Sequence, residues 1–418
     1  MKQISLRMDK RFKKIGIALA AVGPGLFLIG YNIGTGSVTT MAKTGAEHGM
    51  ELFWALVLSC IFTFILMVAY GKVTLVSGNT ALFNIKKEFS YGWILALYIL
   101  IALITGELLA LIGLAGIVAD LVQEAIRLLF NGTMVHKVWI ILFIAIGFYF
   151  LLWVGKYKTF EKILTAFVVF MGLSFVMVFF MISPNYSAIA GGLVPRIPDA
   201  PGAFGLVAAI AGTTCSAAVF VMRSTVVAEK GWIIKNLKDE KKDAFVSASI
   251  MLFLSGVIMA VSAGTLHVMG LKLEDTVEMV QLFGPIGGHA AAFILILGIV
   301  GAGLSTIFPL VLIAPWLISD YAGKPRNIHS PLSRLLILFA LLFTFGTILL
   351  PQRPPALMVF SMAFQACILP AVAIPILLLI NRKKLMGKNK ANLMENIGIM
   401  AVVLFSFLTT WFAITELI

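Results

Sequence analysis

The sequence predicts an all-α integral membrane protein of eleven transmembrane helices, and three observations predict it. Of the 418 residues, 60% are hydrophobic and only 12% are charged, a balance that ordinary water-soluble domains do not keep. Eleven apolar runs of about 18 residues or more follow one another with short connections. Two of those runs are interrupted by glycines and hydroxyl residues at points where a spanning helix would otherwise continue.

The runs cover 15–46, 51–77, 91–126, 138–154, 160–183, 203–229, 243–269, 287–319, 333–350, 355–380 and 396–417. The first breaks at Gly34-Thr35-Gly36-Ser37 and the sixth at Gly212-Thr213-Thr214-Cys215-Ser216. Each glycine in a helix interior costs about 1 kcal/mol against alanine, and a break frees backbone groups that lipid cannot satisfy. A helix interrupted inside a membrane therefore has something to hold. Asn32, just before the first break, is suited either to offer an amide oxygen there or to cap the helix that follows.

Net charge is +13, and its placement decides what it means. With the N-terminus inside, the cytoplasmic segments carry twenty-five Lys and Arg and the opposite side six, while Arg223 falls within a span. That asymmetry is the positive-inside pattern, so the charge reports topology and no nucleic-acid partner is expected. The expected location is the plasma (inner) membrane, with the N-terminus cytoplasmic and the C-terminus, after eleven crossings, on the opposite side. The basic start MKQISLRMDKRFKK precedes a run too long for a signal peptide and lacking a cleavage site, so it reads as a tail before a retained first span. Cys60, Cys215 and Cys367 lie in apolar stretches with no pairing or zinc spacing. The five histidines stand at span ends or in loops, also without ligand spacing.

Five spans separate the two breaks, and an odd number turns the second half upside down relative to the first. Spans 1–5 and 6–10 thus form an inverted five-plus-five pair, with residues 15–183 and about 203–380 as the two repeats. Residues 1–14 form a basic tail, the core extends to 390, and 391–418 add an eleventh helix. Paired interruptions in inverted halves are the sequence mark of a secondary transporter's substrate site. No phosphate loop, hydrolase triad or paired-carboxylate site is present, so no enzyme and no cofactor are expected. The expected partners are the bilayer and an ion or small-molecule substrate; nothing in the chain speaks to oligomeric state.

Several stretches resemble the Nramp family of divalent metal transporters. They are Gly23-Pro24-Gly25 and Thr44-Gly45-Ala46 around the first break, Phe160-Glu161-Lys162 leading into Val169-Phe170-Met171-Gly172-Leu173-Ser174-Phe175, and Gly298 to Gly303-Leu304-Ser305-Thr306 in span 8. The end of span 10, from Leu369-Pro370 to Arg382-Lys383-Lys384-Leu385-Met386-Gly387, completes the set. The likeness runs from about residue 20 to 390 and implies the Nramp version of the inverted-repeat fold, within the superfamily that includes amino-acid transporters.

The family's ligand motifs, carried over position by position, meet different residues. Its first-span Asp and Asn fall on Gly34 and Ser37. In span 6 its Met falls on Ser216, its first His on Ala218 and its second on Arg223. Its span 10 Gln falls on Met362, with Gln365 one turn along the same face. The resemblance thus implies a substrate site at Gly34, Thr35, Ser37, Thr213, Thr214, Ser216, Met362 and Gln365. Without the carboxylate and the sulfur ligand of those motifs, Thr35, Ser37 and Ser216 could hold a metal through water or backbone carbonyls. Such hydroxyls and carbonyls suit a hard cation, magnesium above manganese or iron. The alternative is a small zwitterion or anion, an amino acid or carboxylate, held on helix N-termini.

Glu107 is the acid deepest in any span, and an intramembrane carboxylate is a functional hypothesis by default. It matches an acidic position that the resemblance links to proton movement, which makes it the coupling candidate; the family's next acid is Ala110 here. Arg223 is open to three readings at this stage: a partner for Glu107, a charge near the site that attracts an anion, or a side chain that reaches the cytoplasmic surface.

Overall fold

The computed structural model describes residues 34–417 apart from 131, 133, 155, 156, 287 and 351. The basic tail, the first half of span 1, Gly23-Pro24-Gly25 and Asn32 lie outside the described residues. Span 1 enters as α1 (Thr35–His48), with Gly34 as its N-cap. Span 2 is α2 (Phe53–Ser77), ended by Gly78 at φ 69°, whose N–H closes on the Thr74 carbonyl. A short α3 (Ala81–Glu88) leads to span 3, α4 (Gly92–Leu129), then span 4, α5 (Lys137–Val154), and span 5, α6 (Tyr157–Met181). After α7 (Tyr186–Gly191), span 6 is two helices, α8 (Ala203–Thr214) and α9 (Ala217–Glu229).

Span 7 is α10 (Leu237–Gly264) and span 8 is α11 (Gly288–Ala322). Span 9 is α12 (Pro331–Phe343) continued by α13 (Gly346–Leu349); Ser330 caps α12 by accepting from Ser333 N, with a proline at its first position. Span 10 is α14 (Pro354–Asn381), followed by α15 (Lys383–Met386), and span 11 is α16 (Leu393–Leu417). Among the described residues nine helices are long and apolar enough to cross a membrane, and α1 and Val169–Met181 stand where the first and fifth spans are expected. The chain is a multi-pass membrane protein.

Packing partners reveal the inverted repeat. A two-fold operation that exchanges spans 1–5 with 6–10 turns the pair 1·7 into 6·2, and 3·10 into 8·5. All four pairs are packed: α1 on α10, α8 and α9 on α2, α4 on α14, and α11 on α6. Pairs that the operation maps onto themselves, 2·7, 3·8 and 4·9, are packed as well. Burial follows from this arrangement. The window of span 6 is 94% buried, whereas spans 4 and 9 are each 28% buried and cover the outside of the bundle. A spanning helix satisfies its backbone internally, as hydrocarbon requires, so the interruption of span 6 between α8 and α9 is a place where that rule is relaxed.

Span 7 begins earlier than its apolar run. The helix starts at Leu237 rather than 243, so Glu240, which hydropathy leaves in the connecting loop, belongs to the bundle.

Candidate functional site

Close neighbours set the geometry at Gly34 and at Gly212. A Cβ on Gly34 would lie 1.9 Å from Thr306 Oγ1 in span 8, and a Cβ on Gly212 would lie 1.7 Å from the Met362 carbonyl oxygen in span 10. Neither position admits a side chain unless a neighbouring span gives way. The same crowding leaves no room for the carboxylate that the family resemblance expects at Gly34.

Between these contacts lies a cavity of about 30 Å³, room for roughly two water molecules. Span 1 lines it with Gly34, Gly36 and Ser37, and span 6 with Gly212, Thr213 and Ser216. Span 3 adds Glu107 and Ala110, span 8 adds Thr306 and Leu310, and span 10 adds Met358, Met362 and Gln365. The start of α1, the interruption of span 6 and the three spans that brace them thus meet at one point. Glu107 is 2% exposed and is the carboxylate among the described lining residues.

Span 6 leaves backbone acceptors at this point. Cys215 N closes on the Ala211 carbonyl and Thr63 Oγ1 bonds the Thr214 carbonyl. No backbone N–H among the described residues reaches the Gly212 and Thr213 carbonyls, because the helix stops one turn too soon. Side chains at the break are mutually tied. Ser216 Oγ donates to Gln365 Oε1 at 2.6 Å, and Ser37 Oγ lies 3.2 Å from Ser255 Oγ of span 7.

Two expected residues stand elsewhere. Thr35 turns away to bond the Ile299 carbonyl of span 8 at 3.4 Å, because its position in the first turn of α1 faces that helix. Thr214 is buried beside span 2 through its carbonyl. Arg223, the charge expected near the site, is not part of the lining and does not pair with Glu107. Its Nη2 lies 2.8 Å from Glu240 Oε1 and its Nη1 2.5 Å from Asp243 Oδ2, with all three side chains buried. A guanidinium inside a membrane needs anions, and the early start of α10 supplies two of them one turn apart. The sequence signal was available: Glu240 and Asp243 are spaced i, i+3 beside a buried arginine.

Six lining residues were not among the expected site residues: Gly36, Ala110, Gly212, Thr306, Leu310 and Met358. Met358 precedes Met362 by one turn, so the face carrying Met362 and Gln365 already pointed to it. Met358 and Met362 thus bring two thioether side chains to the lining from span 10. The methyl carbons of Met358 and Met362 would be 2.3 and 3.3 Å from a Cβ on Gly36, so the bare glycine is what lets both thioethers reach the break. Among the described residues no three His, Cys, Asp or Glu side chains gather to hold a metal; the described lining offers one carboxylate, two thioethers, hydroxyls and an amide.

Comparison with known proteins agrees with this architecture. The family described as natural resistance-associated macrophage protein-like, Nramp, matches residues 25–415. A divalent metal cation transporter MntH of Erwinia tasmaniensis is 23% identical over 413 residues, covering 96% of this chain and 94% of that protein. The crystal structure of a mutant form of an Eremococcus coleocola manganese transporter superposes with a TM-score of 0.70 at 16% identity, over 95% of this chain and 86% of that one. Mhp1, a nucleobase-cation-symport-1 family transporter in a closed conformation, does so at 0.62 and 13%, over 94% and 93%. The solved structures share the fold, and a family match spanning nearly the whole sequence leads to one conclusion: the chain belongs to the Nramp family.

Proposed function

We propose that this protein is a secondary transporter that carries a divalent metal cation through the cavity between its two broken helices. The observation that carries the reading is the convergence of Glu107 with oxygen and sulfur donors where spans 1 and 6 are interrupted. The related proteins named for divalent metal and manganese transport support the cargo class. Glu107 supplies the negative charge, and it is also the group placed to exchange a proton for the ion. A carboxylate substrate is disfavoured, since the described lining holds an acid and no cation, and Arg223 is committed to Glu240 and Asp243.

Two observations divide the choice of metal. Met358 and Met362 favour a dehydrated transition ion such as manganese or iron, since thioethers are soft ligands and magnesium dehydrates reluctantly. The hydroxyls of Ser37, Thr213, Ser216 and Thr306 favour a hard ion, which keeps magnesium as the second reading. Proteoliposomes holding the purified protein decide: uptake of manganese, magnesium and calcium is compared with that of an amino-acid panel while internal pH is followed. Manganese uptake with acidification supports the first reading and magnesium uptake alone the second. Uptake of an amino acid with no divalent ion moving overturns both.

A further inference from the structure

The end of the molecule that carries the basic loops has a second, larger recess. A groove of about 530 Å³ opens where span 10 ends beside span 11, within the roughly 300–1,000 Å³ usual for small-molecule sites. Its lower wall is apolar, formed by Leu377, Leu378 and Met400, and its upper rim is polar, formed by Asn381, Asn396 and Arg382. Leu378 is 52% and Met400 48% exposed, so the groove opens sideways, towards lipid.

The polar rim is built. Asn381 Nδ2 donates to Asn396 Oδ1 at 2.6 Å and Asn396 Nδ2 returns a bond to Asn381 Oδ1 at 3.2 Å, which locks the two helix ends together. Arg382 Nε stands 3.0 Å from Glu88 Oε2. Ala391 N–H bonds the Ile380 carbonyl at 3.2 Å, folding the connecting loop back against span 10. That loop, Asn381 to Lys390, contains Arg382, Lys383, Lys384, Lys388 and Lys390 and no acid. Among the described residues its four lysines form no ion pair, although acids elsewhere at this end are paired with Lys72, Arg223 and Arg326.

An apolar slot at membrane depth, rimmed by two amides and by Arg382, which Glu88 pairs, and continued by a loop whose four lysines form no ion pair among the described residues, has the polarity profile of a lipid with an anionic headgroup. Basic pockets between spanning helices are suited to such headgroups, and each nearby cation adds about 1 kcal/mol of attraction to an anionic leaflet. We propose that this groove binds one anionic phospholipid, its phosphate at Arg382 and Lys383 and an acyl chain along Leu378 and Met400. Neither the transport reading nor the cavity at the breaks enters this argument.

Native mass spectrometry of the detergent-purified full-length protein tests it, by titration with phosphatidylglycerol and, separately, phosphatidylcholine. The wild type is expected to retain phosphatidylglycerol preferentially. Arg382→Gln, Lys383→Gln and Lys384→Gln combined should weaken that retention by roughly fivefold per cation. Lys235→Gln, Lys238→Gln and Lys242→Gln combined, which removes as much charge from another basic segment at the same end, should leave it unchanged. Met400→Trp, which fills the slot and spares the cations, should also abolish retention. Equal retention of the two lipids overturns the proposal. So does equal loss in the two triple variants, displacement by inorganic phosphate, or full retention in Met400→Trp.

Discussion

Ser216 and Gln365 are joined by a 2.6 Å hydrogen bond between buried side chains, and the bond ties the interruption of span 6 to span 10. It holds an amide and a hydroxyl at the cavity with their donors and acceptors already matched. Ser216→Ala leaves the Gln365 oxygen without this donor, a loss of about 1 kcal/mol. The expected result is a small fall in Tm in detergent, together with weaker half-saturation for the transported ion by roughly fivefold, measured as concentration-dependent uptake.

Gly34 marks where span 1 has no room. Gly34→Ala places a methyl against Thr306 Oγ1 and should destabilise by about 1–3 kcal/mol, as overpacking does. Thr306→Gly removes the opposing side chain, so the double variant should regain most of the lost Tm. Failure of the double variant to recover would show that Gly34 is needed for its backbone rather than for its missing side chain.

Arg223→Met should be among the most damaging changes in the bundle. It strands Glu240 and Asp243 in a buried setting, and breaking such a pair costs about 3–5 kcal/mol. Adding Glu240→Gln and Asp243→Asn should restore much of the stability. Thermal unfolding of the single and triple variants in detergent reads the difference.

Met358 and Met362 set the hard–soft balance of the cavity. Met358→Leu with Met362→Leu preserves volume and removes both sulfurs, so manganese uptake should fall about tenfold relative to magnesium. An unchanged manganese-to-magnesium ratio would assign the preference to the oxygen donors instead.

Much of this is legible in the chain. Hydropathy gives the spans in order, because each helix must satisfy its own backbone in lipid and so writes its length in apolar residues. Both breaks show as glycine and hydroxyl clusters, and Glu107 as a deep acid. What stays hidden depends on neighbours. Thr35 and Thr214 look equivalent to Ser37 and Thr213 in sequence, yet one packs on span 8 and the other beside span 2. Glu240 falls outside the apolar run because hydropathy drops where charges begin, although a paired charge continues the helix. Met358 looks like one more apolar residue in a run of them.

The most direct measurement is calorimetric titration of manganese and of magnesium into the purified full-length protein and into Glu107→Gln. The wild type is expected to bind one divalent ion per chain, and the variant to lose at least tenfold in affinity, about 1.4 kcal/mol. Equal binding by both proteins, or binding of neither ion by the wild type, would contradict the proposed function.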